Sequence, residues 1–179
     1  MDVRRVVTGH DGNGKAVFVS DEAVAPTTLA LLPGSAFHNL WGGDEAPSFP
    51  DDGAEPKHET YFPPVGGFRF GFFTLPPDDG RGVPDDLDIP KALKELEDKL
   101  PGMAQYMEPD APGMHTTPTV DFEVVLSGEV WLELDNGAEV HLKPGDTVVQ
   151  NGTRHRWSNK GSEPATLAVL ICGAHHERF

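Results

Sequence analysis

The chain has 179 residues, 37% of them hydrophobic and 24% charged, with 20 Gly and 17 Pro. That length suits one domain with a real core, and so much glycine and proline favours short elements joined by turns over long helices. The net charge of −15, from 14 Lys and Arg against 29 Asp and Glu, argues against nucleic acid and anionic membranes as partners, because both are bound through excess cationic side chains.

Cys172 is the one cysteine and has no internal disulfide partner. It lies in the apolar run Leu167 to Cys172, which predicts a buried thiol. The first residues, MDVRRVVTGHDGNGK, lack the apolar stretch of a secretion signal. No apolar run is long enough to span a bilayer. A cytoplasmic protein is expected.

Val3 to Val19 is predicted to form a hairpin about Asp11-Gly12-Asn13-Gly14. Thr27 to Leu32 is a short strand closed by Pro33-Gly34, and Ala36 to Trp41 is another. Residues 42–67 have little periodicity and form a long loop carrying His58, Glu59 and Tyr61, either an arm over a pocket mouth or a mobile or edge segment. Phe68 to Leu75 reads as a strand with Phe68, Phe70 and Phe72 on one face. Asp88 to Leu100 is the one clear helix, with Pro90 in its first turn, an apolar stripe at Ile89, Ala92, Leu93, Leu96 and Leu100, and a Glu95–Lys99 pair.

From His115 onward short strands follow closely. They cover 121–126, 129–134, 138–142, 147–150, 155–159 and 166–172, each break carrying a turn signal such as Asp135-Asn136-Gly137 or Pro144-Gly145-Asp146. This spacing predicts an all-β sandwich or barrel. His115, Thr117, Asp121 and Glu123 share strand parity, and Val120, Phe122, Val124 and Leu126 form an apolar face expected to pack behind the sheet. If the strands of 114–134 and 141–159 lie side by side, His115, Asp121 and His155 converge. Two imidazoles and one carboxylate suit non-haem Fe(II) with open positions, or zinc with a bound water. The same residues would otherwise form a metal-free His–Asp pair, structural or acid–base. Glu123 replaces Asp121 if the strand bulges. Thr117, Gln150, Trp157 and Phe70 are further residues expected around the pocket. His141 is expected at an exposed strand end, and His175-His176 in a loose tail. Gly152, Asp146 and Asn159 are turn residues.

The spacing resembles the cupin superfamily, specifically small single-domain proteins with a conserved type 2 barrel. One cupin motif runs Gly, His-x-His, Glu, Gly; the other runs Gly, Pro-x-Gly, His, Asn. Here Gly128 closes the first motif, with Asp121 at the Glu, Thr117 at the second His, His115 at the first, and Pro109 at the leading Gly. Gly145 opens the second, with Gln150 at the Pro, followed in order by Gly152, His155 and Asn159.

The resemblance implies a mainly β double-stranded β-helix, or jelly-roll barrel, with an N-terminal strand extension and one or two short helices. The single domain 1–179 would comprise strands, loop and helix over 1–108, the conserved core over 109–174 and a tail over 175–179. The resemblance further implies one divalent metal (Fe, Zn, Mn or Ni) on His115, Asp121 and His155, and a small-molecule ligand. A homodimer is implied too. Members of this superfamily act as dioxygenases, decarboxylases, isomerases or lyases. The alternative is a non-catalytic ligand-binding or scaffold cupin whose Thr117 marks loss of the full metal site.

Overall fold

The computed structural model describes residues 2–78, 84 and 86–179. Strands β1 (Val3–His10) and β2 (Ala16–Val24) form the predicted hairpin. The Asp11 carboxylate makes its turn by accepting from the Asn13 and Lys15 N–H groups at 2.8 and 2.9 Å. Strand β3 (Thr27–Leu29) turns directly into β4 (Leu32–Gly43), so the break expected at Pro33-Gly34 lies inside a strand. Pro33 is tolerated near the strand's start. Gly34 takes a φ of +82°, and a Cβ there would stand 3.0 Å from the Pro76 ring.

Strand β5 (Phe68–Leu75) has the predicted bounds. Helix α1 (Ile89–Lys99) is capped by Asp88, which accepts from the Lys91 N–H at 3.1 Å. Only part of its apolar stripe is covered: Ala92, Leu96 and the following Leu100 are buried, whereas Ile89 and Leu93 are exposed. Lys99 pairs with Glu95 at 2.6 Å, and the two also tie the helix to the β3–β4 connection: Lys99 donates to the Thr28 carbonyl and Glu95 accepts from the Ala30 N–H.

The remaining strands are β6 (Thr119–Ser127), β7 (Val130–Glu133), β8 (Glu139–Leu142), β9 (Thr147–Asn151), β10 (Arg156–Ser158) and β11 (Ala165–Gly173). All pairings are antiparallel. One sheet has the order β3-β4-β5-β11-β6-β9 and the other β10-β7-β8. Val125, Ala165 and Leu167 of the first sheet pack against Val130, Leu132 and Leu142 of the second. A second cluster joins Phe37, Phe62 and Ile171 to Leu96 and Leu100 of the helix end. The chain is thus an all-β jelly-roll barrel, with β4 and β5 completing the larger sheet.

Strand β6 corrects one expectation. Thr119, Asp121, Glu123 and Val125 face inward and are buried, while Phe122, Val124 and Leu126 lie outside, 47%, 37% and 40% exposed. Period two fixes which residues share a face, not which face is inside. The outer residues form a cross-strand row, Val149–Phe122–Leu170–Phe70. The tail is also docked rather than loose: the His176 Nε2–H donates to the Gly152 carbonyl at 3.1 Å, and Phe179 packs edge-on against Tyr106.

Candidate functional site

His115 belongs to no named strand. It meets His155 in an isolated antiparallel bridge, and the two exchange both backbone hydrogen bonds at 3.0 Å. Directly opposed residues project to the same face, and the two rings lie 4.1 Å apart between centroids, tilted by 51°. Each Nδ1 donates to a carbonyl two residues back, Gly113 at 3.0 Å for His115 and Thr153 at 2.9 Å for His155. A carbonyl can only accept, so both Nδ1 atoms carry the proton and each neutral ring keeps its lone pair on Nε2. Burial lowers the pKa of both. For His155, burial and then the charge of His115 bring it down to about 4, against the hydrogen bond to Thr153. For His115, burial outweighs the Gly113 hydrogen bond and Glu108.

Asp121 and Glu123 stand two residues apart on the inner face of β6. The pairing there is regular with both neighbours, so no bulge exchanges one for the other. Asp121 Oδ1 and Glu123 Oε2 are buried without a hydrogen-bond partner. Burial raises Asp121 to about 6, opposed by a hydrogen bond from Thr119. Burial, then the neighbouring Asp121 charge, raises Glu123 to about 8. At neutral pH the imidazoles are therefore neutral and Glu123 holds a proton.

These four residues share a cavity of about 490 Å³ with an apolar wall that includes Phe37, Phe62, Phe73, Met103, Trp157 and Ile171. Trp157 is in its lining, edge-on to His155 at 6.4 Å. Thr117 is not among the lining: it is buried, its hydroxyl 2.8 Å from that of Thr119. Gln150 is buried and holds the turn before His155, donating through Nε2 to the Thr153 carbonyl at 3.0 Å and hydroxyl at 2.6 Å. Phe70 faces out of the barrel, because on β5 Arg69, Gly71, Phe73 and Leu75 take the inner positions opposite Ile171, Val169, Leu167 and Ala165. Strand β5 thus contributes Phe73, not Phe70, to the aromatic wall. Asn159 is wholly buried and ties strand ends together, donating to the Leu75 and Glu163 carbonyls and accepting from Gly161. His141 lies at the surface, stacked on Trp131 and 3.0 Å from Glu129.

Of the 42–67 segment, Tyr61 and the unforeseen Phe62 reach the cavity; His58 and Glu59 are not among its lining. Buried Arg69 holds this segment at both ends, donating to the Gly43 and Thr60 carbonyls at 2.9 Å and to Asp44. Burial and the nearby Asp121 and Glu123 push the Tyr61 phenol pKa up, so it is a neutral hydroxyl. A signal for Phe62 existed in the sequence only as an aromatic doublet within an aperiodic run.

Two neutral imidazoles and an unpartnered carboxylate oxygen are the donor types of a three-ligand site for a divalent ion. The match is one of chemistry and burial: among the described residues, no three His, Cys, Asp or Glu side chains are gathered as an ion requires.

A family model described as "Cupin domain" matches residues 104–172. The chain is 51% identical over 156 residues to "Phomopsin biosynthesis cluster protein D" of Diaporthe leptostromiformis, covering 87% of this chain and 70% of that protein. It is 28% identical over 172 residues to the "Cupin-domain-containing oxidoreductase fogC" of Aspergillus ruber, covering 94% and 71%. Among solved structures, the Schizosaccharomyces pombe Cnp3 cupin domain is similar with a TM-score of 0.47 and 12% identity, covering 96% of this chain and 87% of that one. No described helix is long and apolar enough to cross a membrane.

Proposed function

Because the chain belongs to the cupin superfamily, as a type 2 cupin, we propose that it is an enzyme acting on a small organic molecule held in the barrel cavity, with His115, His155, Asp121 and Glu123 as its chemical groups. The observation that carries this is the pairing of two Nδ1-anchored imidazoles with two buried, unpartnered carboxyl oxygens in one 490 Å³ cavity. Leaving such groups unpaired is costly unless a ligand completes them. Relatives named for biosynthesis clusters and as oxidoreductases support a small-molecule substrate.

The chain's own residues suit proton transfer. A neutral Nε2 takes a proton from the bound molecule, and the Glu123 carboxyl holds one that it can give. The apolar wall excludes water and orients the rest of the molecule. His115, His155 and Asp121 are the groups that would hold a divalent ion (Fe, Zn, Mn or Ni). A bound ion would supply Lewis-acid or redox chemistry at this position.

The outer row of β6, β9 and β11 supports a homodimer formed through that face, since so contiguous an apolar surface favours a covering partner. The free thiol of Cys172 suits a reducing compartment such as the cytoplasm.

The test is metal stoichiometry of untagged protein by mass spectrometry, before and after incubation with Fe(II), Zn²⁺, Mn²⁺ or Ni²⁺. Roughly one ion per chain, lost in His155→Ala, is expected. Persistent stoichiometry in that variant would place the metal elsewhere. Absence of metal would leave the second reading, a metal-free ligand-binding or acid–base barrel, which the ungathered donors favour.

A further inference from the structure

The bridge between His115 and His155 consists of two backbone hydrogen bonds. So short a pairing fixes little by itself. Residues 174–179, which follow β11, restrain both of its segments from outside the cavity. The Ala174 N–H donates to the Pro118 carbonyl at 2.8 Å. His176 Nε2–H donates to the Gly152 carbonyl at 3.1 Å, three residues before His155. The Arg178 guanidinium donates to Thr116 Oγ1 at 3.2 Å, next to His115. Within the tail, the Arg178 N–H donates to His176 Nδ1 at 3.1 Å, so the His176 proton sits on Nε2, where the Gly152 carbonyl accepts it. Gly152 permits this approach: its φ is +59°, and a Cβ there would stand 3.1 Å from His176 Cδ2. The tail also reaches the cavity wall. Phe179 packs edge-on against Tyr106 at 5.2 Å, and Tyr106 packs edge-on against Phe62 at 5.2 Å.

We propose that residues 174–179 are a clasp that sets the approach of the His115 and His155 rings, with His176 and Arg178 as positioning residues. Its bearing on chemistry rests on the histidine pair being the site proposed above.

Backbone hydrogen exchange in EDTA-stripped protein tests the clasp directly, because the His115 and His155 N–H groups make the two hydrogen bonds of the bridge. In His176→Ala/Arg178→Met both amides should exchange at least about tenfold faster, while those of Val125 and Leu167 in the barrel core are unchanged. His176→Gln/Arg178→Lys keeps a donor at each position and should hold both amides within about threefold of wild type. Glu177→Gln, exposed between the two, should change nothing. Unchanged exchange at His115 and His155 in the Ala/Met variant, or an acceleration shared by Val125 and Leu167, would overturn the clasp. The bearing on the site is tested by calorimetric titration of Zn²⁺ into wild type and Arg178→Met, which keeps all eight histidines. Binding should weaken at least about fivefold. Unchanged Zn²⁺ affinity would overturn that bearing. A wild type that takes up no Zn²⁺ would overturn the metal reading instead, and the exchange rates alone would then decide the clasp.

Discussion

Gln150 and His155 are joined through a single atom. The Thr153 carbonyl oxygen accepts from Gln150 Nε2 at 3.0 Å and from His155 Nδ1 at 2.9 Å. Gln150 stands where the superfamily pattern has a proline, and its amide fixes the carbonyl that fixes the imidazole. It is a positioning residue. Gln150→Leu should cost about 1–3 kcal/mol of stability, since it removes the two hydrogen bonds that the buried Gln150 amide makes to Thr153. It should also shift the His155 ring ¹⁵N signals while leaving those of His115 nearly unchanged. A melting-temperature loss with no change at His155 would make Gln150 a turn residue only.

Glu123 predicts a pH dependence of stability. Its carboxyl titrates near 8 in the fold, above the ordinary value near 4.3 of an unfolded chain. Between those limits the folded state holds a proton that the unfolded chain has lost, so its contribution falls as pH rises and is fully lost above about 8. His155 has the opposite sign: with a folded value near 4, its contribution rises as pH climbs toward the ordinary value near 6.5. Glu123→Gln removes the first effect and keeps the second. In EDTA, its melting temperature should exceed wild type by at least about 3 °C at pH 9, and the two should approach one another at pH 5. A gap that does not widen with pH would contradict the burial cause.

Arg69 governs the segment before β5. Its guanidinium holds the Gly43 and Thr60 carbonyls and Asp44, and Thr60 precedes the Tyr61 and Phe62 of the cavity wall. Arg69→Met should lower stability by about 2 kcal/mol or more. It should also make residues 44–60 newly sensitive to limited proteolysis and weaken binding of any cavity ligand. Unchanged proteolysis would show that the segment is held elsewhere.

The outer face of the larger sheet bears on assembly. Phe122 and Leu170 are opposed there, 47% and 37% exposed. Phe122→Glu should convert the proposed dimer to a monomer in light scattering without moving the Trp157 indole N–H signal in a ¹⁵N-correlation spectrum, because the substitution lies outside the barrel. A wild-type monomer at micromolar concentration would remove this face as an interface.

Much of the architecture is legible in the residues. The turn signals place β6 to β11 to within a residue or two, and the motif spacing singles out His115, Asp121 and His155, all of which line one cavity. The face of β6 is not legible, because hydrophobic alternation ordinarily marks the core. Here Asp121 and Glu123 are inside, and Phe122, Val124 and Leu126 are outside. The same ambiguity exchanges Phe70 for Phe73 on β5. Tyr61 and Phe62 are fixed by long-range contacts, through Arg69 and through the Tyr61 N–H to the Pro101 carbonyl at 2.9 Å, which no local pattern encodes. The bridge between His115 and His155 is likewise a tertiary fact, since His115 precedes its nearest strand.

His115 and His155 stand as a neutral pair with Nδ1 protonated and Nε2 free. Long-range ¹H–¹⁵N spectra of the histidine rings at pH 7 in EDTA measure this directly. Both rings should show the Nδ1–H tautomer, with His155 remaining neutral down to about pH 5. An Nε2–H tautomer at either residue, or a charged His155 at pH 6, would contradict this protonation state.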